Sequence, residues 1–127
     1  MLLAIDPGNE MSGYVLMNED HTIYNKGKVK NEELINMIKK IGFKDLKICI
    51  EMVASYGMAV GQTVFDTCVW IGRFYQASIE TNGYKPILIF RKDVKMNLCG
   101  KTRAKDTNIK QALIDRLAYG VPNNGKG

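Results

Sequence analysis

The sequence predicts a mixed α/β domain, a five-stranded sheet with helices on both of its faces. Three observations carry this expectation. Short apolar runs bounded by turn residues alternate with longer stretches of helical period. Three strand-like runs precede the first helix, and helix and strand alternate after it. Two of the runs, residues 2–6 and 47–51, end abruptly in an acid, the position where an open α/β sheet presents its chemistry. A chain of 127 residues with 46% apolar side chains is long enough for one core and too short for two. A single domain over residues 1–127 is expected, with no internal repeat and no linker before Gly120.

Taken in order, residues 2–6 read as a buried strand and Pro7-Gly8 as the turn that ends it. Residues 13–17 and 22–29 read as the second and third strands. The hairpin turn between them, Asn18-Glu19-Asp20-His21, puts the one histidine at an exposed tip. Asn31 is suited to N-cap a helix running to Ile41, with Leu34, Ile38 and Ile41 on one face. Residues 47–51 form the fourth strand. The longest helix is expected over residues 60–82, stopped by Gly83. Val60, Val64, Cys68, Ile71, Tyr75 and Ile79 give its apolar stripe, and Phe65, Val69 and Trp70 widen it beyond one face. Such a helix is either sandwiched in the core or shared with a second subunit. Residues 86–90 read as a fifth strand and residues 107–118 as a last helix.

The net charge of +5 is unevenly spread. From Arg91 onward there are nine Lys or Arg against three Asp, whereas the preceding residues hold nine against ten acids. The excess is concentrated between Arg91 and Lys105. It suits a polyanion such as nucleic acid, the alternative being an ordinary solvated basic surface. No apolar stretch approaches the length of a membrane span, and Met1 leads straight into a strand, not a secretory leader. A cytoplasmic location is expected. Cys49, Cys68 and Cys99 are odd in number and lack the close spacing of zinc ligands, and the first two sit in apolar runs as small core residues.

Asp6 and Glu51 each end a strand. If those strands are parallel neighbours, their carboxyl ends fall about 5 Å apart, one strand spacing. Carboxylates that close repel unless a cation lies between them. Mg²⁺, with Mn²⁺ as its substitute, is hard, seeks oxygen and keeps its waters while held by one or two carboxylates. Two such ions about 4 Å apart activate a water and stabilise the leaving oxygen in phosphodiester cleavage. The alternatives are a turn-capping role for Asp6 and a solvent-facing strand end for Glu51.

With these motifs in view, the chain resembles the RuvC family of Holliday junction resolvases within the RNase H-like superfamily, and more narrowly the small RuvC-like resolvases of bacteriophages. The resemblance rests on Ile5-Asp6-Pro7-Gly8 with Ser12-Gly13, and on Ile50-Glu51-Met52 followed by Ala54-Ser55-Tyr56-Gly57-Met58. It continues in Arg91, in Val94-Lys95, and in residues 100–108 leading into a helix. It implies an RNase H-like fold and a magnesium-dependent endonuclease that resolves four-way junctions and related branched DNA. By resemblance, Asp6 and Glu51 match the first two metal ligands and Lys95 a basic residue beside the scissile phosphate. Arg91, Lys101, Arg103 and Lys105 are expected to track the DNA backbone, making binding salt-dependent. Tyr56 matches a position where relatives place residues that probe the junction centre, by stacking or wedging between bases. Packing over the start of the long helix is its other reading.

The chain departs from the family at its end. Relatives carry their remaining metal ligands as a closely spaced acidic pair on a C-terminal helix, where this sequence has the loop-like residues 122–127. Asp106, at a helix N-cap position, and Asp115 are the acids nearby. The expectation is a truncated or cleaved nuclease domain that retains two ligands and binds metal poorly. A homodimer through residues 60–82 is expected, because symmetric cutting of a junction suits a two-fold pair of sites. Val69, Trp70 and Phe74 are its candidate contacts. The alternative function is a catalytically inactive, structure-specific DNA-binding module. An actin-like or kinase-like ATPase fragment, reading Asp6-Pro7-Gly8 as a phosphate loop, lacks a second glycine-rich phosphate motif downstream. Cleavage of RNA is a further, minor alternative.

Overall fold

The computed structural model describes residues 1–41, 46–55, 57–100 and 105. The chain divides into two compact units, Met1–Ile89 and Phe90–Gly127. Five strands form one sheet: β1 (Leu2–Asp6), β2 (Met11–Met17), β3 (Ile23–Lys30), β4 (Lys47–Met52) and β5 (Ile87–Phe90). Their order is β3-β2-β1-β4-β5. β1 runs antiparallel to β2 and parallel to β4, and β2 runs antiparallel to β3, so the sheet is mixed as expected. The bounds of β1 coincide with those expected, α1 (Asn31–Ile41) begins at the residue expected to cap it, and the other strands differ by one or two residues.

Alternation along the strands builds the core. Leu3 and Ile5, Tyr14 and Leu16, and Ile48 and Ile50 all project from one face, the period-2 signature of a sheet covered on that side. They meet Leu34, Ile35 and Ile38 of α1 and Ile71, Phe74 and Ala77 of α2 (Gln62–Asn82). Both helices of the first unit therefore cover the same face. The hairpin between β2 and β3 closes where Asn18 C=O accepts from His21 N–H at 3.0 Å and Asn18 N–H donates to Thr22 C=O at 2.9 Å. His21 is exposed at its tip, as expected, and adopts the left-handed conformation at φ 69°.

The inward face of α2 differs from the expected stripe. Thr67, Ile71, Phe74, Ala77 and Ser78 are buried, whereas Phe65 and Val69 stand 54% and 63% exposed. Two polar residues point inward because each finds a partner nearby. Thr67 Oγ1 donates to Thr63 C=O at 2.8 Å, and Ser78 Oγ donates to Tyr84 C=O at 3.0 Å. Hydropathy alone counts both as outward, which rotates the stripe. Phe74 is fully buried and belongs to the core, so it is withdrawn as a dimer contact. Trp70 is half-buried beneath the Arg73 guanidinium, 4.0 Å from the ring centroid. Gly83 ends the helix in the left-handed conformation at φ 78°, as its placement predicted.

In the second unit, Arg91–Cys99 forms a helix, α3, that the sequence reading did not place. Only Val94 and Leu98 mark an apolar spacing in it, too few to signal a helix. Gly100, at φ 70°, is its left-handed stop. The expected helix over residues 107–118 lies outside the described residues. Among the described residues, no helix is long and apolar enough to cross a membrane.

Candidate functional site

The register between β1 and β4 assembles the acids. Leu2 lies opposite Lys47 and Ile5 opposite Ile50. The pairing ends there, and Asp6 and Glu51 follow as the next residues of the two strands. Because Ile5 and Ile50 face the core, Asp6 and Glu51 project from the opposite face, the one that α1 and α2 leave open. Asp6 is exposed and Glu51 half-buried.

On its other side Asp6 lies opposite Gly13 of β2. With no side chain there, the space beside the carboxylate stays open; a Cβ on Gly13 would lie 3.7 Å from that of Asp6. In the next strand Gly13 lies opposite Lys28. A row therefore crosses the open face from lysine through glycine to the two acids.

The bend that carries Asp6 is held from beneath by a closed ring of hydrogen bonds. Gly8 N–H donates to Ser12 Oγ at 3.1 Å, Ser12 Oγ donates to Asn31 Oδ1 at 2.6 Å, and Asn31 Nδ2 donates to Gly8 C=O at 2.9 Å. Asn31 N–H adds a bond to Glu10 C=O at 3.0 Å. Ser12 and Asn31 are almost fully buried. A β-carbon at Gly8 would collide with the Met11 carbonyl oxygen, so glycine is required there. Asn31 was expected to cap α1. Its side chain instead ties the start of α1 to the turn after Asp6. Sequence reasoning missed this role for Ser12 and Asn31, because the expected second strand began at residue 13 and left Ser12 in the turn before it.

The remaining candidates are distributed as follows. Arg91 and Lys95, both half-buried, lie four residues apart on α3 in the second unit, and Lys105 is exposed. Tyr56, Lys101, Arg103 and Asp106 lie outside the described residues. Cys49, in the row next to the acids, is half-buried, and burial pushes its thiol up from the usual range. At the hairpin tip, the Thr22 hydroxyl and backbone N–H both donate to Asp20 and hold its carboxyl below the usual range. A cavity of about 480 Å³, lined by Leu46, Ile48, Ser78, Tyr84 and Ile87, opens where β4 begins, away from the acids.

No protein-family model matches the sequence, and no curated protein matches it. Among solved structures, the chain is similar to RuvC from Thermus thermophilus, with a TM-score of 0.64 at 17% identity over 92% of this chain and 80% of that one. It is similar also to T. thermophilus RuvC in complex with a Holliday junction substrate, with a TM-score of 0.65 at 16% identity over 96% and 82% of the two chains. The chain thus has the RuvC-like, RNase H-like α/β fold.

Proposed function

We propose that this protein is a metal-dependent endonuclease that hydrolyses phosphodiesters in four-way junctions and related branched DNA. The observation that carries the reading is the parallel register that pairs Ile5 with Ile50, the residues just before Asp6 and Glu51. The shared fold with a protein solved on a Holliday junction supports it, as does the positive charge after Ile89.

The donor set fits a hard divalent cation. Mg²⁺ accepts one or two carboxylates and retains waters, and Gly13 leaves room for them beside Asp6. Asp6 and Glu51 would hold it. When bound, the ion supplies an activated water and stabilises the leaving oxygen. The rest is positional work by the chain. The ring through Ser12 and Asn31 fixes the bend below Asp6, and the β1–β4 ladder holds Ile50, the residue before Glu51, against Ile5. Arg91, Lys101, Arg103 and Lys105 are assigned to the DNA backbone, Lys95 to the cleaved phosphate and Tyr56 to the junction centre, all by resemblance. Asp106 is assigned to helix capping, with ligation its lesser role.

A homodimer pairs two such rims. Phe65 and Val69, exposed on one side of α2, are its proposed contacts. Light scattering at micromolar concentration is expected to give twice the chain mass; a strict monomer refutes the pairing.

Cleavage of a labelled four-way junction tests the main proposal. The wild type is expected to cut with Mg²⁺ and not in EDTA. Loss of an outer partner of a metal ligand already costs about 10–100-fold, so Asp6→Asn is expected to lose about a hundredfold or more while still binding the junction. The second reading, junction binding without cutting, is favoured by one observation: among the described residues no cluster of three His, Cys, Asp or Glu is positioned to share one ion. Equal binding and no cutting by both proteins supports it.

A further inference from the structure

Charge counted along the chain conceals a segregation that the sheet creates. Before Arg91 the sequence is close to neutral. In β3, however, Lys30 lies opposite Met11, Lys28 opposite Gly13 and Lys26 opposite Val15. Paired residues share a face, and Gly13 and Val15 in turn lie opposite Asp6 and Ala4. Lys26, Lys28 and Lys30 therefore all project from the open face that carries Asp6 and Glu51. All three are exposed, and no acid among the described residues pairs with their ammonium groups. The β2 positions between them and the acids, Met11, Gly13 and Val15, are uncharged. The nearest acids along the chain, Glu32 and Glu33, lie in the first turn of α1, and the Glu19-Asp20 pair lies in the hairpin turn.

We propose that Lys26, Lys28 and Lys30 form a rail for the phosphate backbone of the DNA whose strand is held at the Asp6–Glu51 rim. This rests on the nuclease reading and adds a contact surface separate in sequence from the basic segment after Ile89. Spacing favours it. Alternate residues of an antiparallel strand stand about 6.8 Å apart, equal to two rises of about 3.4 Å along a duplex axis. Lys28 lies two strands from Asp6, about 9.6 Å between backbones, so a phosphate on its ammonium belongs to the same bound segment as one at the rim.

Lysines also guard sheet edges against pairing with other chains. That duty is indifferent to face. Here the other face of β3 shows Asn25, Gly27 and Val29, of which Asn25 and Gly27 are exposed, and no charge. One-sided charge is what a ligand on one side requires.

Edge guarding and phosphate binding separate under charge reversal, because glutamates still guard an edge but repel phosphate. The test is fluorescence anisotropy of the full chain on a labelled four-way junction in EDTA, over a range of salt. Replacing Lys26, Lys28 and Lys30 together by Glu is expected to weaken binding about tenfold or more. The slope of log affinity against log salt is expected to fall by about 2–3, at about 0.7–0.9 per phosphate contact. Replacing the three by Arg retains both affinity and slope. The single change Lys28→Gln removes about one unit of slope, so a folding defect in the triple variant does not decide the matter. If the wild type binds and the Glu and Gln variants bind with unchanged slope, the rail is refuted and the nuclease reading stands. If the wild type does not bind the junction, both fall.

Discussion

The two faces of the sheet divide the work of the first unit between them, residue by residue along the same strands. In β1, Leu3 and Ile5 are sealed under α1 and α2, while Ala4 and Asp6 look the other way. In β4, Ile48 and Ile50 are sealed, while Cys49 and Glu51 look out. Neighbouring residues therefore answer to different demands. A substitution on the sealed face is felt as stability, and on the proposed reading one on the open face is felt as chemistry. The ring through Gly8, Ser12 and Asn31 joins the two, since it is buried with the core and holds the bend below Asp6.

That division can be broken from either side. The largest expected effect is on the sealed face: Phe74→Ala empties a fully buried site and is expected to cost about 3–5 kcal/mol, read by urea denaturation. Junction binding by the fraction still folded is expected to persist. Asn31→Ala comes next. It leaves the Ser12 hydroxyl and the Gly8 carbonyl without their partner, at about 1–3 kcal/mol for each buried group left unsatisfied. This variant alone is expected to lower stability and, in the still-folded fraction, cleavage as well. Stability lost with cleavage per folded molecule unchanged would show that the ring does not position Asp6. The smallest effect lies on neither face. His21→Gly relieves a left-handed residue at the hairpin tip, where the strain of about 1–2 kcal/mol is offset in part by the greater backbone freedom of glycine when unfolded, about 0.5–1 kcal/mol. A gain of under about 1 kcal/mol is expected, with no change in cleavage.

Most of the sheet was legible because its signals are local. Apolar runs ending at Pro7-Gly8 and at Glu51, and the polar turn around His21, need no knowledge of the rest of the chain. Gly83 marked the end of α2 for the same reason. What escaped depends on partners distant in sequence. Thr67 and Ser78 face inward because backbone carbonyls of their own helix and of the turn after it accept their hydroxyls, and that moved the buried stripe onto Phe74. Asn31 has the composition of a cap, but Ser12 and Gly8, met only once β2 and β3 have formed, claim its side chain. The acids at the rim could be named from their strand ends. The lysines of β3 could not, because alternation assigns a face only after the register is known, and counting charge along the chain cancels them against acids elsewhere.

The buried ring has a consequence for when the rim becomes competent. Two of its members come from the first hairpin and the third from the opening residue of α1. A nascent chain with its first strands paired but its first helix unseated has nothing to hold the bend that aims Asp6. On the proposed nuclease reading, competence at the rim then arrives only once α1 has seated, and a half-made molecule does not cut nearby nucleic acid.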